Sequence, residues 1–172
     1  ADCPRISKWL NDNTKALQLI DQASRRPNLY LPLISPATKD ERSNLINAYA
    51  NITILDIGQF VSPRLLLMRA NRSIANGRFQ DAINDFLTIH RLARLINKNG
   101  FLSSSFVGTM IERTSDSRRW QFAFSQKLSS AEALTYLLNL KKLGPLHGVA
   151  EKSRVLERCF ELDATLWFVQ IY

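Results

Sequence analysis

Apolar residues recur every three or four positions along almost the whole chain, and no stretch alternates between apolar and polar residues as a strand does. No Asn-Gly turn stands between two alternating runs, so the sequence does not indicate a β-hairpin either. The pattern predicts an all-α fold, built as an antiparallel bundle or as a short array of helical hairpins.

Several helix boundaries carry their own chemistry. Pro63 stands at the first turn of a helix, where its missing N–H costs nothing, and Gly77 and Gly144 each follow a last turn. Ser129 and Glu132 form a capping box, which predicts a helix start there. The sequence thereby predicts seven helices, at about 4–24, 38–61, 63–76, 79–97, 101–126, 129–143 and 149 to near the end.

The composition fits one globular domain. A chain of 172 residues that is 45% apolar has enough material for a core, and we expect a single helical domain over 1–172. No apolar run approaches the length of about 20 residues that spans a membrane. The apolar ending "ATLWFVQIY" is unusual for a free tail and favours a chain cut from a longer one.

The net charge of +8 attracts acidic partners. The basic residues are scattered, with no run longer than a pair, which favours a solvated surface over a nucleic-acid site. Nucleic acid stays open as a partner, but no motif supports it. The two cysteines, Cys3 and Cys159, have no metal or redox spacing, and a disulfide between them stays open.

The segment "ANGRFQDAINDF" predicts a tight helical hairpin. Ala70 and Ala82 are small where the two backbones approach, Gly77 makes the turn, and Phe79 and Phe86 fill the wedge between the helices. The five residues occupy the small, glycine, aromatic, small and aromatic positions of a tetratricopeptide repeat, which this hairpin resembles.

The resemblance covers about one repeat, residues 63–97, and departs from the family's pattern. Arg69 and Ser73 stand where the repeat usually has a large apolar residue and an aromatic one, and Ile89 stands where a small residue is usual. No second copy follows at the repeat spacing of about 34 residues. The sequence therefore predicts a single repeat-like hairpin inside a bundle.

A longer stretch also resembles uncharacterised bacterial all-helical proteins. The resemblance rests on "RANRSIANGRFQDAINDFLTIHRLARLI" together with the later "LERCFELD". It implies a helical fold and no particular activity.

The chain contains no catalytic, metal-binding, phosphate-loop or cofactor motif, and we expect no enzymatic activity, no metal and no cofactor. Three carboxylate pairs are one helical turn apart, each with an arginine three residues before one member, and we expect them to be surface ion pairs. They are Asp81 with Asp85, Glu112 with Asp116, and Glu157 with Glu161.

Two residues are candidates for a buried polar site. His90 lies on the apolar stripe of its helix and is predicted to be a core histidine with one hydrogen-bond partner. Asp56 stands among apolar residues, so its carboxylate needs a partner such as Arg69, Arg72 or Arg91. The favoured interpretation is a structural buried ion pair or a helix edge that faces solvent, and a polar pocket inside the bundle is the functional one.

Three hypotheses for function follow. The first is a non-enzymatic domain for protein–protein interaction or scaffolding, with a groove lined by Arg64, Arg72, Arg91 and Arg94 that would suit an acidic peptide. The second is binding of nucleic acid or another polyanion by the basic surface. The third is a small-molecule site or enzyme within the bundle around Asp56 and His90, which requires those side chains to converge on one cavity.

Overall fold

A computed structural model describes residues 3–29, 61–98, 102–124, 128–146 and 148, and five single positions at 158, 161, 162, 165 and 169. All regular structure in these residues is α-helical, which confirms the predicted all-α class. The helices of the described part are α1 (Pro4–Asp12), α2 (Thr14–Ser24), α3 (Val61–Ala75), α4 (Phe79–Asn97), α5 (Leu102–Phe124) and α6 (Ser130–Lys142).

The bounds of α3 to α6 lie within two residues of the predicted ends. The helix predicted over 38–61 and most of the one predicted from 149 onwards lie outside the described residues. Among the helices that the structure describes, none has both the length and the apolar character needed to cross a membrane.

The prediction of one continuous helix over 4–24 is wrong, because the helix breaks at Asn13. Asn13 has φ −103° and ψ 16°, and its Nδ2 donates to the carbonyl of Trp9 at 2.9 Å. Thr14 Oγ1 lies 2.8 Å from the carbonyl oxygen of Asn11, and such side-chain bonds compete with the helical ladder. After the break Leu17 continues the buried face, whereas Trp9 before it is 40% exposed.

The connection between α3 and α4 is a glycine-closed turn. Gly77 has φ 71°, its N–H donates to the carbonyl of Ile74, and the N–H of Arg78 donates to the carbonyl of Ser73 at 2.8 Å. This pair of bonds is a Schellman motif, which satisfies carbonyls at the end of α3 and turns the chain back. Helix α4 then packs along α3 as a hairpin.

Helix α4 is the centre of the bundle, with twelve of its 19 residues buried. It contributes to two apolar clusters, one shared with α1, α2, α3 and α5 and the other with α3 and α6. The first contains Leu10, Leu17, Leu66, Ile89, Ala93, Ile96, Val107 and Ile111. The second contains Ala70, Ala82, Ile83, Phe86, Leu87 and Tyr136, so the small residues predicted for the hairpin contact are both buried there.

The crossing of α4 and α5 leaves no room for a side chain at Gly108. A Cβ placed there would lie 2.7 Å from the carbonyl oxygen of Ala93 and 2.9 Å from Cβ of Asn97. Both contacts are shorter than van der Waals separation, and one partner is backbone, which cannot rotate away. Gly108 therefore sets the distance between the two helices.

We expect Gly108→Ala to lower the free energy of unfolding by about 1–3 kcal/mol, because the added methyl group must push α5 away from α4. Gly148→Ala is the matched control, since Gly148 is exposed and a Cβ there meets nothing within 4 Å. Urea denaturation followed by circular dichroism measures both variants. Equal stability of Gly108→Ala and the unsubstituted chain would contradict the packing described here.

Candidate binding groove

A polar groove of about 720 Å³ lies between α1–α2 on one side and the α3–α4 hairpin on the other. All but two of its lining residues are polar or charged, and four of them are arginines. The lining residues are Leu10, Asn11, Thr14, Leu17, Gln18, Asp21, Gln22, Arg25, Arg69, Arg72, Ser73, Arg78, Asp81, Asn84, Asp85 and Thr88.

A buried ion pair forms the floor of the groove. Arg69 of α3 donates from Nε to both carboxylate oxygens of Asp85 on α4, at 3.0 and 3.1 Å, and its Nη2 contacts the same carboxylate. The side chain of Asp85 is only 4% exposed. Burial raises the pKa of Asp85 above its ordinary value of 3.8, although the hydrogen bonds and charge of Arg69 act in the opposite direction.

A second pair joins α2 to the same region of α4. Arg25 donates from Nε and Nη2 to the carboxylate of Asp21, at 3.2 and 3.1 Å, one turn away on the same chain segment. Thr88 Oγ1 of α4 lies 2.7 Å from Oδ1 of Asp21, where the hydroxyl donates to the carboxylate. Asp21 is therefore held from both walls of the groove.

Arg72 differs from the other arginines of the groove. Its Nη1 donates to Oδ1 of Asn11 at 2.9 Å and points toward the carbonyl of Ser7 at 3.4 Å, and both acceptors are uncharged. Its Nε is buried, and neither Nε nor Nη2 makes a hydrogen bond to any of the described residues. In contrast, Arg25 and Arg69 each donate hydrogen bonds from Nε and Nη2 to the carboxylate of an aspartate.

A separate polar cluster lies on the opposite side of α4 from the groove. His90 is fully buried, with its Nδ1 2.8 Å from Oε2 of Glu112 on α5 and its Nε2 3.1 Å from the hydroxyl of Tyr136 on α6. The predicted core histidine with a hydrogen-bond partner is confirmed, since Tyr136 is that partner, and the close contact of Nδ1 with Glu112 is additional. Because the imidazole has no contact with solvent, its contacts fix α5 and α6 to α4.

Arg94 completes this cluster. Its Nη1 lies 3.2 Å from each oxygen of Glu112, and its Nε donates to the carbonyl of Gly144 at 2.8 Å, just after α6. Burial acts to raise the pKa of Glu112, but the hydrogen bond and charge of His90 and those of Arg94 outweigh it. The pKa of Glu112 therefore lies below its ordinary value of 4.5.

The structure separates the candidate site residues predicted from the sequence. Of the four arginines expected in one groove, only Arg72 lines it. Arg94 belongs to the buried cluster with His90, Arg64 is exposed outside the groove lining, and Arg91 is half-buried. Burial, and then the nearby charge of Arg25, lower the pKa of Arg91.

Asp56 lies outside the described residues, as do His147 and Cys159, whereas Cys3 is exposed. Of the arginines considered as partners for Asp56, Arg69 pairs with Asp85. His90 and Arg72 do not meet in one cavity, because the first lies in the cluster with Glu112 and the second lines the groove.

The expectation of surface ion pairs is wrong for two carboxylates. Asp85 is buried against Arg69, and Glu112 is held by His90 and Arg94. In the hairpin, the expected local pair is between Arg78 and Asp81, which are 3.8 Å apart and more than half exposed. Spacing along one helix does not distinguish Asp81 from Asp85, because the helix that covers Asp85 comes from elsewhere in the chain.

Two features of the groove carried a weak signal in the sequence. Arg69 departs from the tetratricopeptide pattern, which has an apolar residue there, but this departure alone does not identify Asp85 as its partner. Gln18 and Gln22 are one turn apart on α2 and both line the groove, but an amide pair at that spacing is too common to single out. Among the described residues, no group of three or more His, Cys, Asp or Glu side chains is placed to hold a metal ion.

The chain matches no family model, and searches of curated proteins and of solved structures found no similar chain.

We expect Arg69→Met to destabilise the fold by about 3–5 kcal/mol at neutral pH, because it leaves the buried carboxylate of Asp85 unpaired. Without Arg69 the pKa of Asp85 rises further, so the loss should shrink as the pH falls and Asp85 becomes protonated in the fold. Urea denaturation at a series of pH values measures this.

The matched control is Arg78→Met, which breaks an exposed pair in the same hairpin and should change the stability little. The double variant Arg69→Met with Asp85→Leu should recover much of the lost stability, since no charge is then buried. A loss as large in the double variant as in Arg69→Met would show that the effect comes from packing.

Glu112→Gln tests the cluster around His90. A carboxylate whose pKa is lowered by folding adds stability above its unfolded pKa and loses it as the pH falls through the folded pKa. The substitution should cost about 1–3 kcal/mol at pH 7, and the difference from the unsubstituted chain should shrink below about pH 4.5. Asp12→Asn, which changes an exposed carboxylate, should leave the pH profile parallel to that of the unsubstituted chain.

Proposed function

We propose that this chain is a non-enzymatic interaction domain that binds an acidic segment of a partner protein in the groove. The observation that carries the proposal is that Arg72 lines the groove and forms no ion pair with a carboxylate of the described residues. The guanidinium of an arginine is planar, and its N–H donors match the two oxygens of a carboxylate.

The charge balance of the groove supports an anionic ligand. Its four arginines face three aspartates, and each aspartate pairs with an arginine other than Arg72. Asn11 holds Arg72 in place without neutralising it. Among the described arginines of the groove, Arg72 therefore has a positive charge that no aspartate neutralises. The net charge of the chain, +8, attracts acidic partners from a distance.

A nucleic acid or another polyanion is the second candidate, and the net charge favours it. The groove supports it less well, because Asp21, Asp81 and Asp85 line the same surface and would repel a continuous run of phosphates. One carboxylate beside Arg72 meets less of this repulsion.

The test compares Arg72→Gln with Arg64→Gln. Both remove one positive charge from α3, but Arg64 is exposed and does not line the groove. The probe is a fluorescent octapeptide of alternating glycine and glutamate, and binding is measured by anisotropy. We expect Arg72→Gln to weaken binding at least tenfold, because a hydrogen-bonded charge pair is worth about 1.5–3 kcal/mol, and Arg64→Gln to change it less than twofold.

Two results would overturn the proposal. Equal weakening by the two variants would show that only the net charge matters. Tighter binding of a single-stranded oligonucleotide than of the peptide, with equal sensitivity to both substitutions, would favour the polyanion hypothesis and a steep dependence on salt.

A further inference from the structure

The wall of the groove that α2 forms presents two side-chain amides. Gln18 and Gln22 both line the groove and are exposed, and neither side-chain amide makes a hydrogen bond within the described residues. They are four residues apart in one helix, so they stand one above the other along the groove. Each amide offers a donor and an acceptor at the same place.

The spacing of these amides matches an extended peptide. Four residues of α-helix rise about 6 Å. Two residues of an extended chain advance about 6.6 Å, and every second residue presents both its N–H and its C=O at the same edge of the strand. Gln18 and Gln22 are therefore in register with alternate backbone units of a chain that runs along α2.

An extended peptide is also the ligand whose backbone can hydrogen-bond to these amides. In a bound helix the backbone N–H and C=O groups are already paired with each other, so side-chain amides add little. A phosphate chain offers acceptors only, and would leave the carbonyl oxygens of both glutamines without a donor. In an extended peptide each backbone unit brings one donor and one acceptor, as each glutamine does.

We infer that the groove binds its partner as an extended segment, with Gln18 and Gln22 hydrogen-bonded to the backbone and one acidic side chain on Arg72. The inference rests on the proposed function and names the form of the ligand. Helix α2 is 11 residues long, or about 16 Å, which accommodates about five extended residues.

The experiment compares two probes on the unsubstituted chain. The first is the octapeptide of alternating glycine and glutamate, whose like charges keep it extended. The second carries an N-methyl group on every residue, which keeps every carboxylate but removes every backbone N–H, whichever edge of the peptide faces α2. We expect the methylated peptide to bind at least tenfold more weakly.

Variants assign that difference to the glutamines. In Gln18→Ala with Gln22→Ala the two peptides should bind within twofold of each other, while Arg72→Gln should weaken both. Gln80→Ala is the matched control, because Gln80 is an exposed glutamine on α4 that does not line this groove. It should keep the full discrimination, and circular dichroism checks that each variant is folded.

The possible results separate the two proposals. If the unsubstituted chain binds both peptides equally and Arg72→Gln weakens both, the extended form is wrong and the acidic groove stands. If Arg72→Gln binds as tightly as the unsubstituted chain, the proposed function itself fails. Discrimination that survives loss of both glutamines would place the backbone contacts elsewhere and overturn this inference.

Discussion

The burial of α4 among its neighbours is the constraint on which the rest of the structure depends. A buried helix usually carries apolar residues all round, but α4 carries Asp85, Thr88 and His90 at buried positions. Burying each of these groups without a hydrogen-bond partner would destabilise the fold, so each needs a partner from another helix. The partners come from four different helices: Asp21 of α2, Arg69 of α3, Glu112 of α5 and Tyr136 of α6.

These polar contacts act differently from the apolar clusters around them. Leucine and isoleucine contacts tolerate small rotations of a helix, because dispersion has little directional preference. Hydrogen bonds to a carboxylate and to an imidazole require defined distances and angles. We therefore interpret the pairs on the two sides of α4 as fixing its rotation and its position along its axis, while the clusters supply most of the buried apolar area.

The sequence predicted well what depends on neighbours along the chain. Helix α4, the turn at Gly77 and the capping box before α6 follow from periodicity, a left-handed glycine and a local side-chain bond. The sequence did not predict contacts between distant residues. Glu112 and Asp85 each have the spacing of a surface ion pair, and only the position of another helix shows that they are covered. The resemblance to a tetratricopeptide arm stays a prediction, since a hairpin with small residues at its contact is also what plain packing requires.

The difference between Arg69 and Arg72 links the fold to the proposed binding. The two arginines are three residues apart on one face of α3, and both line the groove. Arg69 meets a buried carboxylate, so its charge is used within the fold. Arg72 meets the amide of Asn11, which accepts a hydrogen bond and orients the guanidinium without cancelling its charge. An aspartate at that position would form a fourth ion pair in the groove, between α1 and α3, and would neutralise the charge of Arg72. Under the proposed function, the amide in place of a carboxylate at residue 11 is therefore what keeps the charge of Arg72 available to an acidic ligand.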